Sequence, residues 1–258
     1  SSDWHSPDNW NPARVPTHGD DVIITNIGSA VLLSNSSPNL SSLVISNKTL
    51  TVSNWTTTLF ATHLTIQANG TLTLPAAFTT SQMSNRIWIV CSNLTVDSGG
   101  RIDASEKGYA SSATTGYGPG GGTGPGAGNG HGGGGGHGGK GGNSGTPFAG
   151  GPTNGSAAVA TGPGSGGGSG AGSRIGGKGG GSIRIEADDA MILNGRITAD
   201  GGSGDLYSGG GSGGGIYLAC QSLTGTGLVS AAGGNGKDGG GGGGGGRIAL
   251  DCATLDPA

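Results

Sequence analysis

The sequence contains few of the residues that build enzyme sites and ordinary protein cores. Of its 258 residues, 10% are charged, 4% are aromatic, 31% are hydrophobic and three are cysteine. So small an apolar fraction argues against a helical or α/β enzyme core. No apolar run reaches the roughly 18 residues of a membrane-spanning helix, so no span is predicted. The net charge of −3, with no basic cluster, gives no support to nucleic-acid binding.

Glycine is abundant instead, and it is concentrated in three segments. Of 63 glycines, 34 lie in residues 116–181, nine in residues 201–215 and eleven in residues 233–246. No sustained Gly-X-Y period is present, which excludes collagen. Two interpretations remain open. The segments are either flexible, solvated loops or an ordered layer of polyglycine II, in which chains without side chains approach closely and pair N–H with C=O.

The rest of the chain has the pattern of short β-strands separated by turn residues, with almost no helix signals. Strands this closely spaced do not suit βαβ units, so the sequence predicts an all-β fold. The predicted N-terminal strands are residues 22–24, 31–33, 43–45, 50–52, 64–66 and 72–74.

A repeat organises the second half of the chain. The aligned segments place apolar residues on one face and polar or small residues on the other; they are residues 87–91, 183–187, 216–220 and 248–252. Each of the first three is followed by two further short strands and a glycine-rich segment. Three short strands with one aligned apolar face predict one rung of a parallel β-helix, with the glycine-rich excursions stacked on one side.

We therefore expect a single elongated β-helix domain over residues 1–258. Its predicted parts are an N-terminal cap (1–21), the first coils (22–115), a long glycine-rich insertion (116–181) and C-terminal coils with shorter glycine-rich loops (182–258). Trp4 and Trp10 precede the first strand and are predicted to cover the open end of the solenoid. Sugar stacking or a subunit contact is the alternative role for these two residues.

The three cysteines, Cys91, Cys220 and Cys252, fall at the same repeat position on the predicted inward face. They are expected to form a stack of small, buried thiols. A disulfide between Cys220 and Cys252 on adjacent rungs is the alternative. No C-x-x-C or paired-histidine spacing is present, so no metal or cofactor is predicted. His131 and His137, on either side of a glycine run, are expected to be ordered or solvated side chains rather than a metal pair.

The acidic residues are candidate catalytic groups, because polysaccharide enzymes depend on carboxylates. The local candidates are Glu186, Asp188-Asp189 and Asp20-Asp21. Turn and capping roles are the expectation for the aspartates, and the other repeat copies carry no acid at the 188–189 position. No catalytic pair emerges, so we expect no catalytic residue and no enzymatic activity.

Seven Asn-x-Ser/Thr sequons are present, most of them at or beside predicted turns of the N-terminal half. A solvated turn can accommodate a bulky glycan, so the sequons predict a secreted, N-glycosylated protein. The alternative is that Asn, Ser and Thr are simply common turn residues. The predicted glycosylation sites are Asn35, Asn39, Asn47, Asn54, Asn69, Asn93 and Asn154.

The tryptophan-rich start, residues 15–16 and 19–24, and the following strand series resemble the opening of β-helical extracellular domains. Examples are adhesin passenger domains and the eight-glycine domains of fibrocystin-like and hyaluronan-depolymerising proteins. The later pattern at residues 216–218 and 231–236 looks like the glycine-rich repeats of large surface proteins. The resemblance implies a right-handed parallel β-helix, extracellular or at the cell surface, and carries over no catalytic residue.

These observations predict a structural role, as a secreted glycoprotein subunit of an extracellular filament, cell-surface appendage or matrix. Its partners would be further copies of itself or other surface glycoproteins. A carbohydrate-binding or carbohydrate-active β-helix is the first alternative, and it requires a groove of clustered acids, bases and aromatics. An ice-binding protein is the second. It requires a regular Thr or Ala array, and Thr51, Thr65 and Thr73 do not repeat at one rung spacing in the sequence.

Overall fold

A computed structural model describes residues 2–25, 30–79 and 83–256 of the chain. Within these ranges the only helix is a three-residue 3-10 turn, η1 (Pro7–Asn9), and every other regular element is a strand. The all-β prediction is confirmed. None of the described residues forms a helix with the length and apolarity needed to cross a membrane.

The strands form two parallel sheets, which we call the long sheet and the short sheet. The eight strands of the long sheet are β1 (Asp21–Ile24), β3 (Leu40–Ile45), β5 (Leu59–Ile66), β7 (Ile87–Val96), β9 (Ser182–Ala187), β10 (Ala190–Leu193), β12 (Gly215–Thr224) and β14 (Arg247–Asp256). The six strands of the short sheet are β2 (Val31–Leu33), β4 (Thr49–Val52), β6 (Thr71–Thr73), β8 (Arg101–Asp103), β11 (Arg196–Thr198) and β13 (Leu228–Ser230).

Register keeps apolar side chains in columns that run through each sheet. Alternation along every strand turns one set of side chains into the core, and parallel pairing places equivalent residues of successive strands opposite one another. The long-sheet column is Val22, Leu43, Leu64, Leu94, Met191, Leu223 and Leu255. The short-sheet column is Val31, Leu50, Leu72, Ile102, Ile197 and Val229. One apolar core therefore lies along both sheets.

The chain passes from one sheet to the other at almost every step, so each turn of chain contributes to both sheets. The prediction of three separate strands per rung holds for β9, β10 and β11 but is wrong for the other two complete copies. There, β7 and β12 are continuous ten-residue strands that contain the first and second predicted strands. Two successive outward residues, Ser92 and Asn93 in β7, shift the inward face by one position, so the strand bends without ending.

The long glycine-rich insertion separates β8 from β9 in the chain but not in space. β7 pairs with both β9 and β10, and β8 pairs with β11, as if the insertion were absent. The chain leaves the sheets after Ala104 and returns at Gly181, whose amide donates to the Ala104 carbonyl at 2.6 Å. The two sheets thus continue across the insertion without a change of register.

Trp4 lies in the core beside β2, the first strand of the short sheet. Its side chain is completely buried in the core, and its amide donates to the Leu32 carbonyl at 2.9 Å. Trp10 packs edge-on against it, with ring centroids 4.9 Å apart, and donates its indole N–H to the Trp4 carbonyl at 2.7 Å. Trp10 is only partly buried, and it lines an open cleft together with Arg14 and Asp20, which form a salt bridge.

Candidate functional site

The three glycine-rich segments pack together as one hydrogen-bonded body, which we call the glycine layer (residues 116–181, 201–215 and 233–246). Bonds connect all three segments: Gly135 donates to Gly210, Gly244 donates to Gly135, and Gly234 donates to Gly211, each at 2.8 Å. Hardly any of the layer is β-strand. These contacts favour the ordered alternative over flexible loops and show how the buried backbone groups are satisfied.

The hydrogen bonds of the layer repeat every three residues. Successive amides of the central run donate in turn to three different neighbouring segments, and every third donor returns to the same neighbour. The bonds, of 2.7–3.0 Å, are Gly132 to Tyr207, Gly133 to Thr123, Gly134 to Gly142, Gly135 to Gly210, Gly136 to Gly120 and His137 to Gly139. A three-residue turn without internal hydrogen bonds is the geometry of an extended polyproline II-type helix.

Close contact between backbones explains why glycine fills these positions. A Cβ atom placed on Gly211 would lie within 3.0 Å of backbone atoms of Gly177 and Lys178, and one placed on Gly134 would meet Gly242 and Gly243 equally closely. Backbone atoms cannot rotate away as side chains do. Glycine is therefore required at these positions, because neighbouring backbones leave no room for a Cβ atom.

The two histidines of the layer do not form a metal pair. His137 is 1% exposed, and its Nδ1 lies 3.0 Å from Oδ1 of Asn154. Burial lowers the pKa of His137, which favours the neutral ring. His131 instead lies beside Tyr207, with ring centroids 5.4 Å apart. Within the described ranges no group of three or more His, Cys, Asp or Glu side chains could hold a metal ion.

A cluster of aromatic and charged side chains covers part of the outer face of the long sheet. We call it the outer cluster (Trp55, Arg86, Trp88, Arg184, Glu186 and Tyr217). Register places Trp88 opposite Arg184 and Arg184 opposite Tyr217, so the guanidinium lies between the two rings, 5.3 Å and 5.7 Å from their centroids. This is a cation–π row that runs across three neighbouring strands.

Hydrogen bonds within the outer cluster join residues that lie before and after the insertion in the sequence. Glu186 accepts a bond from the Trp88 indole N–H at 2.8 Å and two bonds from Arg184 at 2.7 and 3.0 Å. Trp88 and Glu186 are 98 residues apart in sequence. The cluster therefore joins the strand before the glycine layer to the strand after it.

The repeat alignment contained part of this cluster, because it matches residues 87–91 with residues 183–187 and so sets Trp88 against Arg184. Nothing in the sequence signalled that Trp55 and Arg86 would join them. Arg86 lies 4.1 Å from the centroid of Trp88 and 5.0 Å from that of Trp55. The residue types that a sugar-binding groove requires thus meet here, but arginine side chains already lie against the Trp88 ring.

Protonation of Glu186 should weaken the outer cluster. The Arg184 guanidinium, with help from the Trp88 N–H, holds the pKa of Glu186 below its ordinary value. Because a depressed carboxyl pKa stabilises the fold only while the group is charged, this contribution is present above the ordinary carboxyl pKa of about 4.3 and is lost as the pH falls through the folded-state value. We expect Glu186→Gln to cost about 0.5–1 kcal/mol at pH 7, since the pair is partly exposed.

The measurement is urea unfolding of the wild type and the Glu186→Gln variant at pH 7 and near pH 3. The difference between their free energies of unfolding should be smaller at the lower pH. Asp189→Asn, an exposed carboxylate in the neighbouring turn, serves as the control. A Glu186→Gln penalty that is the same at both pH values would contradict the assignment.

The sequon asparagines lie mostly on the surface. Asn35, Asn39, Asn47, Asn54 and Asn69 are exposed, and Asn93 is half-buried. Asn47, Asn54 and Asn69 have positive φ values of 50°, 74° and 59°, as turn residues do. Asn154 differs, because its side chain donates to the Gly136 carbonyl at 2.9 Å and contacts His137. A glycan on Asn154 would have to displace these contacts.

The remaining sequence candidates are distributed over the molecule. Asp188 and Asp189 are exposed in the bend between β9 and β10, and Asp20 is held by Arg14 near the cap. They do not come together with Glu186 as a catalytic pair. The threonine expectation needs correction, because Thr51 and Thr73 are register partners in the short sheet. Their column continues with Leu32 on one side and Asp103 on the other, so the array stops at two residues.

The last described strand leaves part of the core uncovered. Ile248 and Leu250 of β14 are 44% and 45% exposed, whereas their partners Ile216 and Leu218 in β12 are completely buried. Leu255 of the same strand is 56% exposed. Among the described residues β14 pairs only with β12, and its other edge carries an apolar stripe of the kind that natural sheets usually protect.

Comparison with known proteins adds one finding. Residues 9–109 match the G8 domain family model. The G8 domain is an extracellular-type domain, and the match covers the strands from β1 to β8 and only the later part of the predicted cap, ahead of the glycine layer. It is consistent with the resemblance to eight-glycine domains, whereas the likeness to adhesin passenger domains stays a prediction. No curated protein and no solved structure matches the chain.

Proposed function

We propose that this chain is a structural module of a secreted or cell-surface glycoprotein. It would be built as a right-handed parallel β-helix braced along one side by polyglycine II. The observation that carries the proposal is the glycine layer, whose three segments are cross-linked by backbone hydrogen bonds. Such a layer adds rigidity without any reactive side chain. Alternation of the chain between two parallel sheets supports the helical winding.

An extracellular location is supported by the G8 match and by the exposed sequons. Glycans on Asn35, Asn39 and Asn47 would solvate the surface near the N-terminal coils. We infer no enzymatic activity, in keeping with the separation of the acidic side chains over the described surface. The outer cluster then has a mechanical role, because it holds together the strands on either side of the insertion.

We further propose that the module associates with a second copy through β14. If two β14 strands pair antiparallel about a twofold axis over their full length, Arg247 lies opposite Asp256 of the second copy, and Ile248 lies opposite its Leu255. At these two positions the pairing matches opposite charges and apolar side chains, and it places the exposed Ile248 against the exposed Leu255. A filament, the form predicted from the sequence, would require a second contact, because a twofold interface closes on itself.

The test is sedimentation velocity over a wide concentration range. We expect Ile248→Lys to weaken the dimer at least about tenfold, because it places a charge within the apolar stripe. Ala249→Lys, on the adjacent outward-facing position, should have little effect. Asp256→Arg should also weaken association by opposing two arginines, and adding Arg247→Asp should restore it. A monomeric wild-type chain at every concentration would overturn the association proposal, and electron microscopy of the same samples would reveal any filaments.

A further inference from the structure

Two of the three cysteines lie in direct contact at the last coil. Cys220 of β12 and Cys252 of β14 are register partners on adjacent parallel strands; Cys220 belongs to the apolar core and Cys252 packs against it. Their Sγ atoms are 2.6 Å apart, roughly half an ångström beyond the length of a disulfide bond, about 2.05 Å. Only a small adjustment of the two side chains separates this contact from a covalent bond.

The third cysteine is excluded from this pairing by the register. Cys91 of β7 lies opposite Ala187 of β9. Glu186 pairs with Ala219, which sets Ala187 against Cys220 on its other side. Two strand spacings of about 4.8 Å therefore separate Cys91 from Cys220, more than the roughly 7 Å between Cα atoms that a disulfide tolerates. The predicted cysteine stack is thus interrupted by an alanine, and one pairing remains.

We propose that Cys220 and Cys252 form an intramolecular disulfide in the native protein, and that Cys91 remains a thiol. Cys252 is only partly buried, so its sulfur is the one that an external reagent can reach, whereas Cys220 and Cys91 are 8% and 3% exposed. Cys91 has alanines, Ala61 and Ala187, as its register partners on both sides, so no cysteine lies beside it.

The oxidant is a disulfide compound such as oxidised glutathione, acting by thiol–disulfide exchange. The Cys252 thiolate attacks one sulfur of the oxidant, which forms a mixed disulfide and releases one thiolate. The Cys220 sulfur then loses its proton to solvent and attacks the Cys252 sulfur, which releases the second thiolate. Two protein thiols are oxidised and one external disulfide is reduced to two thiols.

This bond would close a loop around β13 and the third segment of the glycine layer. The loop runs from Cys220 to Cys252, so the bond ties β14 to β12. Cross-linking a loop of this length restricts the unfolded chain and opposes local opening of β14. The exposed edge at β14 would thereby keep a defined shape.

The test is mass spectrometry of the full chain after equilibration with a glutathione redox buffer and alkylation in denaturant. We expect one alkylated cysteine without prior reduction, three after reduction, and a proteolytic peptide that joins Cys220 to Cys252. The Cys91→Ala variant should keep this linked peptide, since alanine already occupies the equivalent position at residue 187. Three alkylated cysteines in the unreduced protein, or a linkage between two chains, would overturn the proposal.

A second measurement distinguishes a covalent Cys220–Cys252 bond from non-covalent packing of the two side chains. Reductant should lower the thermal midpoint of the wild type and of Cys91→Ala by about 5–10 °C, and should speed amide exchange in β14. Cys252→Ala should be insensitive to reductant. A wild-type midpoint that does not respond to reductant, together with unchanged exchange in β14, would count against a structural bond.

Discussion

Gly211→Ala should destabilise the protein by about 3 kcal/mol or more, although it adds a single methyl group. Gly211 is buried at the centre of the glycine layer, where its amide donates to Gly202 and its carbonyl accepts from Gly234. The new Cβ would lie within 3.0 Å of three backbone atoms of Gly177 and Lys178. Overpacking of a core ordinarily costs about 1–3 kcal/mol, and here the neighbours are backbones that cannot change rotamer.

Gly245→Ala is the matched control for this prediction. Gly245 belongs to the same layer but is exposed, and a Cβ atom there would meet nothing within 4 Å. Alanine at such a position should be neutral or stabilise slightly, because it restricts the unfolded chain. Urea unfolding followed by circular dichroism, with amide exchange across residues 201–215, would compare the two variants. Equal stability of both would mean that the layer is not closely packed.

Trp4→Ala should be comparably damaging, with a cost of about 3–5 kcal/mol. It removes the largest buried side chain of the cap and the edge-on contact with Trp10. The N-terminal end of the core would then be open to water, and its strand edges would be available to other chains. We therefore expect both a lower unfolding midpoint and greater aggregation on heating, measured by light scattering.

The Trp4→Phe variant tests whether an aromatic ring at position 4 is enough to preserve the cap. The phenyl ring retains an apolar contact with Trp10, and the indole N–H that it removes has no hydrogen-bond partner among the described residues. We expect this variant to retain most of the stability. If Trp4→Ala changed the free energy of unfolding by less than about 1 kcal/mol, the cap assignment would fail.

Much of the fold was accessible from the sequence because local patterns and long-range register agree. Turn residues and β-branched runs located the strands of the first half, and the alignment of Ile87, Ile183, Ile216 and Ile248 located those of the second. The number of strands per rung was not accessible. Whether Ser92-Asn93 bends a strand or ends it depends on how the neighbouring strands pair, which composition does not specify.

Side-chain clusters were less predictable than strands. Trp88 and Arg184 could be matched by the repeat, but the approach of Arg86 to Trp55 depends on the path of a connection that carries no repeat signal. Likewise, the repeat alignment places Ala187 between Cys91 and Cys220 in the column of cysteines, but it does not show how closely Cys220 and Cys252 approach. The sequence does not show whether the glycine segments are ordered or flexible, because a run of glycine is the same sequence whether its amides bond to water or to one another.

The three-residue period of the glycine layer has a consequence for how the protein can change in length. Deleting one glycine between Gly132 and Gly136 would move every later donor to the wrong neighbour, so that amides now bonded to one segment would face another. Deleting three would restore the order and shorten the helix by a single turn of roughly 9 Å. Only insertions or deletions of a multiple of three residues keep the order of hydrogen bonds, so length variants that fold should differ within the layer by multiples of three residues.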